Sequence, residues 1–165
     1  MATVHIVFGQ QGAGKTTYSS TLADQEQGVR FSIDDWIGEL YAPDLPNPIN
    51  IAWIMERVQR CEQRIWAVAS DVAQRGGNVV LDLGFMKVAD RSRFVALAQA
   101  KSLSVRTHFV TTPLEIRRNR VLSRNVSKGD SFSFEVTPAM FDFMETQFQM
   151  PTESELSTSV VFNPQ

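Results

Sequence analysis

Apolar and polar positions along this chain follow two periods, one near two residues and one near three and a half, and the switches between them divide it into strands and helices. The β-branched run Val4-His5-Ile6-Val7-Phe8 reads as a first strand, followed by a helix over residues 14 to about 24. Residues 29–33 make a short second strand. From 50 to 75, Ile51, Ile54, Met55, Val58, Cys61, Ile65, Val68 and Val72 recur every three or four positions, the apolar face of a long helix that Gly76-Gly77 ends. Its other face, with Glu56, Arg57, Arg60, Glu62 and Arg64, reads as solvated. Val79-Val80-Leu81 has the unbroken apolar character of a strand buried on both sides. Helix 89–100, strand 105–110 and helix 114–124 follow, then a polar loop over 125–131. Thr137-Pro138 reads as N-cap and first residue of a helix reaching 149, and 159–162 as a last strand. Strands that alternate with helices in this way predict an α/β fold with a parallel sheet and helices on both faces.

Between the first strand and the first helix lies Gly9-Gln10-Gln11-Gly12-Ala13-Gly14-Lys15-Thr16, a complete G-x-x-x-x-G-K-[ST] phosphate loop in the strand–helix setting that the motif requires. Glycines at 9, 12 and 14 let backbone N–H groups curl inward around an anion. The helix N-terminus adds its partial positive charge. Lys15 then reaches the β- and γ-phosphates, and the Thr16 hydroxyl is placed for Mg²⁺. The octapeptide together with Thr17 is the predicted nucleoside triphosphate contact set.

Open α/β sheets bind ligands beyond the carboxyl ends of their strands, and three acids stand there: Asp34 and Asp35 after the second strand, Asp82 after the third. Neighbours leaving an extended strand point in opposite directions, so at most one of Asp34 and Asp35 faces the phosphate loop while the other caps the following turn. A carboxylate facing the γ-phosphate can take the proton of an acceptor hydroxyl. Asp82 has the place of a Mg²⁺-holding acid, or else of a strand-end turn carboxylate. Arg117, Arg120 and Arg124 form one stripe of a helix, either opposite triphosphate or as a solvated basic face; Arg117, a turn nearer the strand, ranks below the other two. His5 and His108 lie inside strand patterns and read as core histidines. Trp36, Tyr41 and Trp53 flank the proline-rich loop Pro43-Asp44-Leu45-Pro46-Asn47-Pro48 near the presumed acceptor side.

With 165 residues, 43% of them hydrophobic, the chain suits one domain. A single cysteine, Cys61, excludes an intramolecular disulfide and a cysteine metal site. The net charge of −2 and the absence of a Lys/Arg block argue against long nucleic acid as a habitual partner. No leader or membrane-length apolar run is visible, so a soluble, cytoplasmic protein is expected, its oligomeric state left open.

Together these segments resemble the small P-loop kinases grouped with zeta toxin, chloramphenicol phosphotransferase and the kinase domain of polynucleotide kinase, a group also described as AAA-like ATP-binding proteins. Gly9, Gly12, Gly14, Lys15 and Thr16 match the group's phosphate loop, although a proline common before the second glycine is here Gln11. Phe31-Ser32-Ile33-Asp34-Asp35-Trp36 matches its acidic strand end, Leu81-Asp82-Leu83-Gly84-Phe85 its third-strand motif, and Arg120-Val121-Leu122-Ser123-Arg124-Asn125 its arginine-bearing helix. The resemblance implies a three-layer fold with a five-stranded parallel sheet of order 2-3-1-4-5, spanning 1–165 as one kinase domain with a lid-like segment at about 117–136. It also implies ATP and Mg²⁺ as cofactors, with Thr16 and Asp82 at the metal and Asp34, Lys15, Arg120 and Arg124 as catalytic groups. A hydroxyl of a small molecule is the expected acceptor; a nucleic-acid 5′ hydroxyl, or a nucleotide switch that phosphorylates nothing, are the alternatives.

Overall fold

The computed structural model describes residues 1–127 and 135–164. Five parallel strands, β1 (Thr3–Phe8), β2 (Val29–Ser32), β3 (Val79–Asp82), β4 (Ser104–Val110) and β5 (Val160–Phe162), form one sheet in the order β2-β3-β1-β4-β5. β1 lies at the centre, with Ile6 opposite Leu81 on one side and Thr107 on the other. Its residues Val4 to Phe8 are buried, as a strand covered on both faces requires.

One face of the sheet holds the larger core, where Val4, Ile6, Phe8, Leu81 and Phe109 meet Ile65, Ala69, Phe94 and Phe148. These come from α3 (Ile51–Gln74), α4 (Val88–Ala100) and the end of α6 (Pro138–Gln147). The other face packs Val7, Val80 and Val110 against Leu22 and Ala23 of α1 (Lys15–Gln25). Cys61 is buried on α3, and Asn50 caps that helix by accepting from Trp53 N–H. The long helix, the strand order and the Thr137-Pro138 start of α6 match the expectations of the sequence.

Three differences have local causes. Ile33, read as strand, opens α2 (Ile33–Tyr41): Ser32 Oγ accepts from Asp35 N–H at 3.3 Å, ending the extended segment one residue early. Asp34 and Asp35 therefore diverge by a helical step of about 100°, and not by the alternation of a strand. α5 (Leu114–Ser127) continues into the segment read as a polar loop, and the remainder of that loop, 128–131, lies outside the described residues together with the rest of 128–134 in the lid-like segment. Finally, α7 (Glu153–Thr158) was not read at all; a capping box between Thr152 and Glu155 starts it. No described helix is long and apolar enough to cross a membrane.

Candidate active site

The carboxyl ends of β1, β2 and β3 open into a cleft of about 1320 Å³. Parallel strands impose this convergence, because every β-to-α turn of the sheet emerges at the same edge. Gln11, Gly12, Gly14, Lys15, Thr16 and Thr17 line it from the phosphate loop and the first turn of α1. Asp34 and Asp82 line it from the neighbouring strand ends, and Arg120 and Arg124 from α5.

The loop itself is tightly supported. A Cβ at Gly9 would stand 2.2 Å from the Val110 carbonyl oxygen, closer than any side chain can approach. Gly12, at φ +73°, would bring one to 2.7 Å from the Arg117 carbonyl oxygen. Ala13 is buried; its carbonyl accepts from Thr112 Oγ1 at 3.0 Å, and its N–H reaches the Gln10 carbonyl at 3.1 Å. Lys15 Nζ donates to the same Gln10 carbonyl at 3.0 Å. Burial pulls the Lys15 ammonium below the ordinary lysine value, against the opposing influence of Asp82 and Asp34.

Ser32 is paired with Asp82 across β2 and β3, which brings the two acidic strand ends side by side. Asp34 is open to solvent on its outer edge, yet the cleft wall strips enough water to push its carboxyl above the usual carboxylate range. The negative charge of Asp82 adds to the push, while Lys15 and Arg124 oppose it. Asp35 faces elsewhere and forms an ion pair with Arg30 at 3.0 Å.

Asp82 is buried, and its Oδ2 accepts from Arg30 Nη2 and from Ser19 Oγ, each at 3.1 Å. Arg30 Nε in turn donates to Ser19 Oγ at 2.7 Å. Sequence reading missed Arg30 and Ser19. The available signal was register: Arg30 and Ser32 share one face of β2, the face on which Asp82 lies in β3.

The basic stripe on α5 divides. Arg120 lines the cleft and donates to the Gly12 carbonyl at 3.3 Å, and Arg124 lines the cleft one turn on. Arg117 does not belong with them. At 3% exposure it is held by Glu145 of α6 through two bonds of 2.8 Å, so the expectation of three guanidinium groups facing an anion is corrected to two. The cause is geometric: at the start of α5 the stripe points into the sheet edge, and only its later turns clear the phosphate loop.

The donors suit a hard cation, with the Thr16 hydroxyl and the carboxylates of Asp34 and Asp82 all supplying oxygen to one cleft. Among the described residues no three His, Cys, Asp or Glu side chains gather as a metal cage. That set fits Mg²⁺, which keeps several waters and takes its remaining ligands from phosphate oxygens.

His5 and His108 are buried beside this site. His5 Nδ1 lies 3.0 Å from His108 Nε2, and Tyr18 OH, on the cleft wall, lies 2.7 Å from His108 Nδ1. Among the described residues His5 Nε2 has no partner, so the pair is less fully satisfied than the core reading expected. On α3, Arg57 stacks on Trp53 at 3.6 Å from the ring centre and is not simply solvated.

The sheet order, the phosphate loop and the acids beside it define a P-loop nucleotide-binding protein with the fold of the small kinases. More particularly, the chain belongs to the AAA domain family, whose model matches residues 4–151. Among solved structures it resembles a candidate kinase from Chloroflexus aurantiacus at 20% identity, with a TM-score of 0.71 over 91% of this chain and 78% of that one. A sugar kinase from Janibacter sp. matches at 15% identity and TM-score 0.66, covering 98% and 85%. The Mycobacterium tuberculosis APS kinase CysC matches at 14% identity and TM-score 0.64, covering 99% and 89%. No curated protein sequence matches significantly.

Proposed function

We propose that the protein is an ATP- and Mg²⁺-dependent kinase that transfers the γ-phosphoryl group to a hydroxyl of a small-molecule acceptor. The observation that carries this reading is the meeting of phosphate loop, Asp34, Asp82, Arg120 and Arg124 around one cleft. The amides of residues 9–14 and Lys15 hold the phosphates. Thr16 and Asp82 would hold Mg²⁺, which supplies charge neutralisation between the phosphates when bound. Asp34 faces the acceptor, and its raised pKa makes it a stronger proton acceptor than an ordinary carboxylate. As the acceptor oxygen bonds to the γ-phosphorus, the bond to the bridging oxygen breaks, ADP departs and the hydroxyl proton passes to Asp34. Arg120 and Arg124 stabilise the charge on the transferred group.

A small acceptor is favoured by the net charge of −2 and the absence of a basic block, and two of the similar folds, a sugar kinase and an APS kinase, belong to kinases of small molecules. The test is an ATP-depletion screen over sugars, nucleosides, other metabolites and antibiotics, followed by mass analysis. One compound class should gain a phosphoryl group. Turnover that no acceptor stimulates but a macromolecular partner does would replace the kinase by a nucleotide switch, and phosphorylation of oligonucleotide 5′ ends alone would move the acceptor class.

A further inference from the structure

The phosphate loop carries a side chain that is bonded to α6. Gln11 Nε2 donates to the Phe141 carbonyl of α6 at 2.6 Å and reaches Glu145 Oε2 at 3.5 Å. Arg117 completes the junction. Its Nη1 and Nη2 grip the Glu145 carboxylate, its Nε donates to the Thr112 carbonyl at 2.8 Å, and Nη1 also reaches the Gln11 carbonyl at 3.4 Å. The loop, the end of β4, the first turn of α5 and the middle of α6 are thus fastened at one buried point. Beyond it α5 is tied to α6 by the Arg118 and Asp142 ion pair, and to the residues just before α6 by Asn125, whose amide bonds both the N–H and the carbonyl of Val136. These bonds join α6 to α5, which carries Arg120 and Arg124.

We propose that Gln11, Arg117 and Glu145 are positioning residues: through this joint the nucleotide state of the phosphate loop sets the placement of α6, and with it that of Arg120 and Arg124 over the cleft. The inference rests on the nucleotide-binding part of the function proposed above. Its physical basis is the restraint that bound phosphate places on the loop amides. Lys15 Nζ bonds the Gln10 carbonyl, one residue before Gln11, and has further N–H groups to offer a phosphate beside it. The phosphate-bound amides hold the Gln11 backbone, and the bonds of Gln11 Nε2 to Phe141 and of Arg117 Nη1 to the Gln11 carbonyl depend on where that backbone stands. A joint whose loop side differs between free and bound states has the differential interaction that coupling demands.

Hydrogen–deuterium exchange of the full chain, with and without Mg²⁺ and the β,γ-imido analogue of ATP, tests it. In the native protein the nucleotide should slow exchange across residues 9–25 and also across α6, the latter by about fivefold or more, the lower end of usual coupling strengths. Gln11→Ala keeps the backbone but lacks the amide, and Glu145→Gln keeps the shape but weakens the grip on Arg117. In both, slowing at 9–25 should persist at saturating nucleotide while the slowing across α6 is lost. A purely structural role would raise exchange in α6 equally with and without nucleotide. Undiminished α6 slowing in the variants, its absence in the native protein despite a protected loop, or failure of both variants to fold would each overturn the proposal. A native loop that no nucleotide protects would instead sink the nucleotide reading itself, and the joint with it.

Discussion

Acidification from pH 7 to 5 should weaken the fold through one buried side chain, His108. Its pKa is lowered from 6.5 to about 4, first by burial and then by the neighbouring His5 and Arg106. Only one proton fits between His5 Nδ1 and His108 Nε2 at 3.0 Å, so a second one meets repulsion as well as a dry site. The unfolded chain takes up its proton near 6.5 while the folded chain waits until about 4, so the stabilising contribution is complete above 6.5 and disappears as pH falls towards 4. Each pH unit between those values is worth about 1.36 kcal/mol, which sets a ceiling of about 3 kcal/mol, of which about 2 kcal/mol should be lost by pH 5. His5, also lowered by burial, adds a share of the same sign. His108→Gln is the informative comparison, since an amide can still bond Tyr18 OH on one side and His5 on the other but does not titrate. Urea unfolding of both proteins at pH 7 and pH 5, with unchanged slopes, gives the two losses. The native protein should lose about 2 kcal/mol more than the variant; parallel losses would refute the assignment of acid sensitivity to His108.

Lys15→Ala should fold yet lose most of the rise in melting temperature that ATP and Mg²⁺ produce, because a ligand that binds only the folded state stabilises it by mass action; an unchanged rise, read by scanning fluorimetry, removes the phosphate site from the loop. Asp34→Asn should keep nucleotide binding and lower acceptor phosphorylation by roughly 10² to 10⁴-fold, with Asp35→Asn milder, measured as initial rates with one acceptor; the reverse ranking transfers the role to Asp35. Arg120→Ala and Arg124→Ala should each reduce kcat by about 10²-fold with a smaller change in KM for ATP, and full activity in the double variant would return this part of α5 to a solvated face.

The parts of this structure that were legible beforehand are those written in contiguous residues. The first strand, the phosphate loop and α1 occupy an unbroken stretch whose turn chemistry and periodicity agree, and the apolar run at 79–81 marks its own burial. The edge of β2 was misplaced because Ile33 is β-branched and apolar, good strand material that the Ser32 cap overrules. α7 has six residues and no apolar period, so only the Thr152-to-Glu155 spacing announced it. Strand ends and helix spacing pointed to Asp82, one of Asp34 and Asp35, and the arginines of α5 as neighbours of the phosphate loop, while the choice of Asp34 came from the family resemblance; Asp34, Asp82, Arg120 and Arg124 line the cleft. What stayed hidden was pairing across distance: Arg30 finds Asp82 52 positions away and Arg117 finds Glu145 28 positions away. No local pattern distinguishes such arginines from solvated ones, and the difference lies entirely in which helix or strand is folded beside them.

The contact between Arg30 and Asp82 also bears on how this sequence can drift. Loss of Arg30 alone leaves the Asp82 carboxylate at the cleft wall without its guanidinium and with Ser19 still bonded to it, and loss of Asp82 alone leaves the guanidinium facing Asp35 and a hydroxyl. Breaking one side of a buried pair typically costs about 3 to 5 kcal/mol, a large part of the margin of a domain this size. Single steps away from the pair are therefore penalised, while a joint replacement costs less. Positions 30 and 82 should accordingly be inherited as a unit, and a relative that retains the acid after β3 while changing position 30 should carry a substitute cation, or a hydrogen-bond donor, on the strand beside it.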